Sequence, residues 1–224
     1  VHIEPGVVDG AKMLLSYGTA AAAVGVTLKT TWAALRENNI GALLSRTGLA
    51  TLLVFCFFEV FWHYPVGVSE VHLILGTTLY LLFGLVPTAI GLAGGLFIQG
   101  FFFAPADLPQ YAINTTTLLA PLFVMHLLAK KIIPAHTAYV DLTYAQTFKL
   151  SAAYQGGIIA WVAFWAFYGQ GFGAENLANV TSFGIAYAGV VLMEPLIDLA
   201  VLYTAKSLTR SPLFENRLYE ACAA

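Results

Sequence analysis

A chain of 224 residues that is 59% hydrophobic and only 10% charged departs from soluble domains, where about 25% of residues are charged. Its net charge of −2 and ten Lys and Arg exclude a phosphate-tracking surface, and with it a nucleic-acid partner. A mean hydropathy of +0.77 divides the length into membrane spans of about 20 residues, so the fold class expected is all-α, a polytopic membrane helix bundle.

The opening, VHIEPGVVDG, has no basic cluster followed by an apolar run, and Pro5-Gly6 reads as a turn. On these ten residues alone a frayed surface tail competes with any functional reading. Seven spans follow: 13–35, rich in small residues that allow close helix packing, then 41–61, 70–85, 87–103, 115–133, 150–168 and 181–203. The result is one transmembrane domain with an N-terminal segment 1–12, a bundle 13–205 and a tail 206–224.

Arg36 and Arg46 fall in the first turnaround, Lys130, Lys131 and Lys149 in the loop after the fifth span, and Lys206, Arg210 and Arg217 at the C-terminal end. Only Lys12 falls on the other side, and Lys29 can snorkel. Cytoplasmic loops carry the Lys/Arg excess, which puts the N terminus outside and the C terminus inside. No Gly-rich phosphate loop occurs, so this chain is expected to have no ATPase or other catalytic activity of its own. Cys56 and Cys222 suggest neither a disulfide framework nor a thiolate metal site.

Five histidines remain. On this topology His2, His63 and His72 lie outside, and His126 and His136 toward the cytoplasm. A histidine near a span end is more often a packing residue than a ligand, but three on one face raise the ligand reading. If the amine at Val1 is free, it can close a five-membered chelate with the His2 peptide nitrogen, and that nitrogen a six-membered one with His2 Nδ1. Three nitrogens in a plane suit Ni(II), Cu(II) or square-planar Co(II), with one position left for another imidazole. His72, in SEVHLILG, fits that position better than His63 in the loop HYPVG.

Other polar residues have two readings each. Gln99 can pair with His72 or the N-terminal backbone, or make an ordinary interhelical bond. Asn114 can cap the fifth span, orient the tail, or both. Glu59 and Glu70 can attract a dication or face headgroup water. Glu194 and Asp198, four apart in MEPLIDL, share one helix face, where a structural or coupling role is preferred to a second metal site.

VHIEPGVVDG resembles the opening of the CbiM/NikM family, the cobalt and nickel substrate-binding membrane components of energy-coupling-factor transporters. PVGVSEVHLILG is similar to a second family block, with Ser69 and His72 on motif positions. GGLFIQGFFFAPADLPQYAINTTT is similar to a third, with Gln99 and Asn114 matching. The blocks span about residues 1–118, in family order. The chain departs in having Glu-Pro-Gly for Pro-Asp-Gly, Ala104-Pro105-Ala106-Asp107 for a glycine-rich loop, and Val1 for methionine.

The resemblance implies a six- or seven-helix bundle with the N-terminal stretch folded in from outside. It implies Co(II) or Ni(II) as transported substrate with Val1, His2 and His72 as ligands, no organic cofactor, and Ser69, Gln99 and Asn114 positioning the tail. Implied partners are a transmembrane coupling protein, cytoplasmic ABC ATPases and a small auxiliary membrane subunit. The implied location is a bacterial or archaeal cytoplasmic membrane. The alternative from the residues alone is a membrane copper or haem oxidoreductase, which the division of the histidines between two faces disfavours.

Overall fold

The computed structural model describes residues 2–37, 39–61 and 63–208, without the side chain of Glu37. Among the described residues seven α-helices form: α1 (Met13–Glu37), α2 (Ile40–Phe55), α3 (Gly76–Phe83), α4 (Leu85–Phe102), α5 (Tyr111–Ile132), α6 (Tyr144–Gln170) and α7 (Ala174–Ser207). Six helical stretches among the described residues are long and apolar enough to cross a membrane. The protein is therefore an all-α polytopic bundle. The tail expected from 206 on lies outside the described residues after 208.

The third crossing differs from the helix expected over 70–85. A hairpin of β1 (Tyr64–Val66) and β2 (Ser69–Val71) precedes it, and α3 has only eight residues. Leu75 enters α3 with a left-handed φ of 52°, which stops the helix from extending backwards. The crossing is nonetheless made. A Cβ built on Gly91 would meet that of Ala50 at 2.7 Å, and one on Gly95 would meet Val54 Cγ1 at 2.6 Å. Both partners advance by four residues, so α2 and α4 run in the same direction with their backbones close. The chain between them must return, and 72–83 supplies the path. Four residues of loop and eight of helix reach up to about 25 Å, near the thickness of a hydrocarbon core. A non-helical backbone at that depth is tolerated only inside protein, and Ile74, Gly76, Thr77, Thr78 and Leu79 are all buried.

The two ends of the bundle differ in charge. Arg46 and Lys130 border one cavity with Thr30, Gly84 and His126, and Lys206 lies 5.5 Å from the Tyr144 ring at the start of α6. The opposite end gathers residues 2–12, the hairpin, and the ends of α2, α4 and α6 with the starts of α5 and α7. Among the described residues Lys12 is the one basic residue there.

Candidate metal centre

The N-terminal stretch docks by strand addition. Glu4-Pro5-Gly6-Val7 forms a turn with Gly6 at φ 90° and the Val7 N–H donating to the Glu4 carbonyl at 3.1 Å, the arrangement that Pro-Gly favours. This turn leaves residues 2–4 extended along β2. Ile3 pairs antiparallel with Ser69; the Glu70 N–H donates to the His2 carbonyl at 2.8 Å, and the Glu4 N–H to the Val68 carbonyl at 3.1 Å. The Ser69 hydroxyl donates to the same His2 carbonyl at 2.7 Å. On the other side the Ile3 N–H donates to Asn114 Oδ1 at 2.8 Å, and Gln110 Nε2 to the Val8 carbonyl at 3.1 Å. Ile3, Val7 and Val8 are buried, so the stretch contributes to the core. Gly169 permits its approach: a Cβ there would fall 1.9 Å from the Val7 carbonyl oxygen.

Docking brings three ligand-type side chains together. His2 Nδ1 lies 3.0 Å and His72 Nε2 2.8 Å from the same oxygen, Glu70 Oε2. One ligand atom from each of His2, Glu70 and His72 lies within 4.8 Å of the others. Asp107 Oδ2 is 3.4 Å from His2 Nδ1. Both imidazoles are only 1% exposed. Phe58 packs edge-on to His2 at 5.7 Å and tilted to His72 at 5.2 Å, and the His63 ring stacks on His72 at 5.1 Å.

The electrostatics follow from burial and sharing. Burial pushes the Glu70 carboxyl up, but hydrogen bonds from His2 and His72 outweigh it and hold Glu70 well below the usual carboxylate range. Burial also raises the Glu4 carboxyl, and the neighbouring charges of Glu70 and Asp107 add to the effect. The imidazole nitrogens facing Glu70 act as donors to it. The second nitrogens, His2 Nε2 and His72 Nδ1, have no hydrogen-bond partner among the described residues. Two imidazoles and a carboxylate form a donor set that suits first-row divalent ions.

Of the residues singled out in sequence, His2, His63, Ser69, His72 and Asn114 come together here. Val1 lies outside the described residues. Gln99 is buried on α4; among the described residues its Oε1 has no partner and no hydrogen bond joins it to His72 or the tail. Glu70 was readable only as an acid near a span end. As a strand, SEV places Glu70 and His72 on one face by alternation, a signal that a helical reading of the segment conceals. Asp107 sits in a 3-10 turn, Pro105–Gln110, without periodicity to point to it. His126 is at the far end, where Nδ1 meets the Tyr80 hydroxyl at 2.8 Å. Glu194 and Asp198 are buried beneath the hairpin.

Together these features define a multi-pass membrane protein with a buried imidazole–carboxylate cluster at one end. The chain belongs to the CbiM family, whose model, described as the cobalt uptake substrate-specific transmembrane region, matches residues 2–211. It is thus a membrane component of metal uptake. No curated protein matches the chain in sequence. In fold it is similar to a crystal structure of a truncated transition metal transporter, at 17% identity and a TM-score of 0.69, covering 91% of this chain and 97% of that one.

Proposed function

We propose that this chain is the substrate-binding membrane component of an ATP-driven Co(II) or Ni(II) importer of the energy-coupling-factor type. The ion is held by the amine of Val1, where the mature chain begins there, by the His2 peptide nitrogen and Nδ1, and by His72 Nε2. The observation that carries this reading is the convergence of His2 Nδ1 and His72 Nε2 on one Glu70 oxygen. His2 Nδ1 is the nitrogen that the six-membered chelate requires. Each histidine can move its proton to the ring nitrogen that has no partner among the described residues, His2 Nε2 or His72 Nδ1. Loading then replaces the two N–H contacts on Glu70 by the cation: the ring protons stay on the imidazoles, the His2 peptide nitrogen releases its proton to solvent, and Glu70 and Asp107 balance the charge.

Ser69 and Asn114 position the strand, and His63 shields His72 by stacking. Gln99, buried on α4, is assigned to positioning the tail on the family resemblance. Residues 1–12 act as the metal-binding segment, 13–205 as the bundle, and the tail from 206 faces the cytoplasm. The site end faces outward across a bacterial or archaeal cytoplasmic membrane, because the basic end is the one that cytoplasmic charge bias favours. Uptake is powered by cytoplasmic ABC ATPases through a transmembrane coupling protein, with a small auxiliary membrane subunit.

Titration of the purified chain with Ni(II) and Co(II), beside His2→Ala and His72→Ala, tests the reading. The expected result is saturable binding of one ion, weakened by either substitution. Binding equal in all three chains rejects it.

A further inference from the structure

Glu194 lies in the middle of α7, fully buried, and both its oxygens are occupied. Oε1 accepts the backbone N–H of Ile74, and Oε2 accepts Gln155 Nε2 from α6. Gln155 Oε1 accepts the Tyr187 hydroxyl at 2.7 Å. One turn along α7, Asp198 Oδ1 accepts the Thr78 hydroxyl. The spacing matches on both sides: acceptors at 194 and 198 meet donors at 74 and 78.

This pair of contacts answers a definite need. The chain from His72 to Leu75 is irregular backbone inside a membrane bundle, and α3 starts there without a side-chain cap of its own. The Ile74 amide stands ahead of α3, outside its hydrogen-bond ladder, and in hydrocarbon an unmet N–H is costly. A carboxylate at a helix N-terminus also meets the positive end of the helix dipole. Glu194 supplies both from another helix, two residues from His72.

On the reading of His72 as a metal ligand, we infer that Glu194 is the positioning residue for His72. It fixes where the metal-binding imidazole stands, without touching the ion. Asp198, through Thr78, sets the rotation of the helix below. Occupancy at the outer end is thereby tied mechanically to α7, which runs the whole way to the basic end.

The test uses the full chain in detergent and Ni(II) as the probe. Glu194→Gln keeps an oxygen for Ile74 but turns its amide NH2 against that of Gln155. The exchanged pair Glu194→Gln with Gln155→Glu restores every donor to an acceptor, including the Tyr187 hydroxyl. Glu194→Gln is expected to lower Ni(II) affinity at least about tenfold, the loss typical of partners that orient a ligand. It should also alter the Ni(II) d–d spectrum and speed amide exchange at Ile74. The exchanged pair should restore all three. In a His72→Ala background, Glu194→Gln should cause no further loss. Unchanged affinity and spectrum in Glu194→Gln, or an equal loss with and without His72, overturns the inference. A native chain that binds no Ni(II) rejects the metal reading itself; the amide exchange, read without metal, then shows whether Glu194 holds the segment.

Discussion

Two buried polar clusters hold the same short stretch of chain, residues 69–78, from two sides, and they are built differently. At the outer cluster one carboxylate oxygen of Glu70 serves two imidazoles, and each ring keeps a nitrogen with no partner among the described residues. At the inner cluster the two oxygens of Glu194 are divided between a backbone amide and a glutamine. The first arrangement can admit a cation because each ring can shift its proton to its other nitrogen and free the one that faces Glu70. The second has neutral donors locked by the fold, and serves as a fixed reference. A binding site on a strand end and a loop is otherwise loosely placed; a second buried acid, held by fixed donors, removes that freedom.

The largest expected effect is at the outer cluster. His72→Ala should lower Ni(II) affinity more than about 100-fold, beyond the 10–100-fold loss seen for partners that only orient ligands. Competition against a coloured chelator measures it, and circular dichroism should show the helices intact. Gly169→Ala should come next, because the added Cβ would meet the Val7 carbonyl at 1.9 Å and the tail must shift. An affinity loss of about tenfold or more without any ligand changed is expected by titration. Asn114→Ala leaves the buried Ile3 N–H without its acceptor, a cost of about 1–3 kcal/mol on the docked tail. Protease sensitivity of residues 2–12 should rise, with affinity falling by about 5- to 150-fold. Ser69→Ala removes one of two donors to the His2 carbonyl, about 1 kcal/mol, and should cost about fivefold.

The smallest effect is on pH. Against the effect of burial, hydrogen bonds from both imidazoles hold Glu70 below its ordinary 4.5 in the folded chain, so below about pH 4.5 the unfolded chain binds a proton that the folded one does not. Its contribution to stability is therefore fully present above about pH 4.5 and is lost as pH falls below it. Melting temperatures taken on either side of that pH should show the decline, and Glu70→Gln should flatten it.

Much of the bundle was legible from hydropathy alone, because α1, α2 and α4 to α7 are long apolar runs ended by charge, Gly or Pro. The third crossing was not. VHLILG has the apolarity of a helix, but the left-handed Leu75 and the tertiary bond from Ile74 to Glu194, 120 residues away, hold it irregular there. The histidines stood out by their rarity and by their place on one face. Glu70 did not, since its role depends on the strand alternation that the apolar run masked. Asp107 and Phe58 reach the site through tertiary packing that leaves no local pattern.

X-ray absorption at the nickel edge of the loaded native chain tests the central claim most directly. A shell of nitrogen and oxygen donors with the multiple-scattering pattern of two imidazoles is expected, reduced to one in His72→Ala. A spectrum with no imidazole scattering, or one that is identical in the two chains, would contradict it.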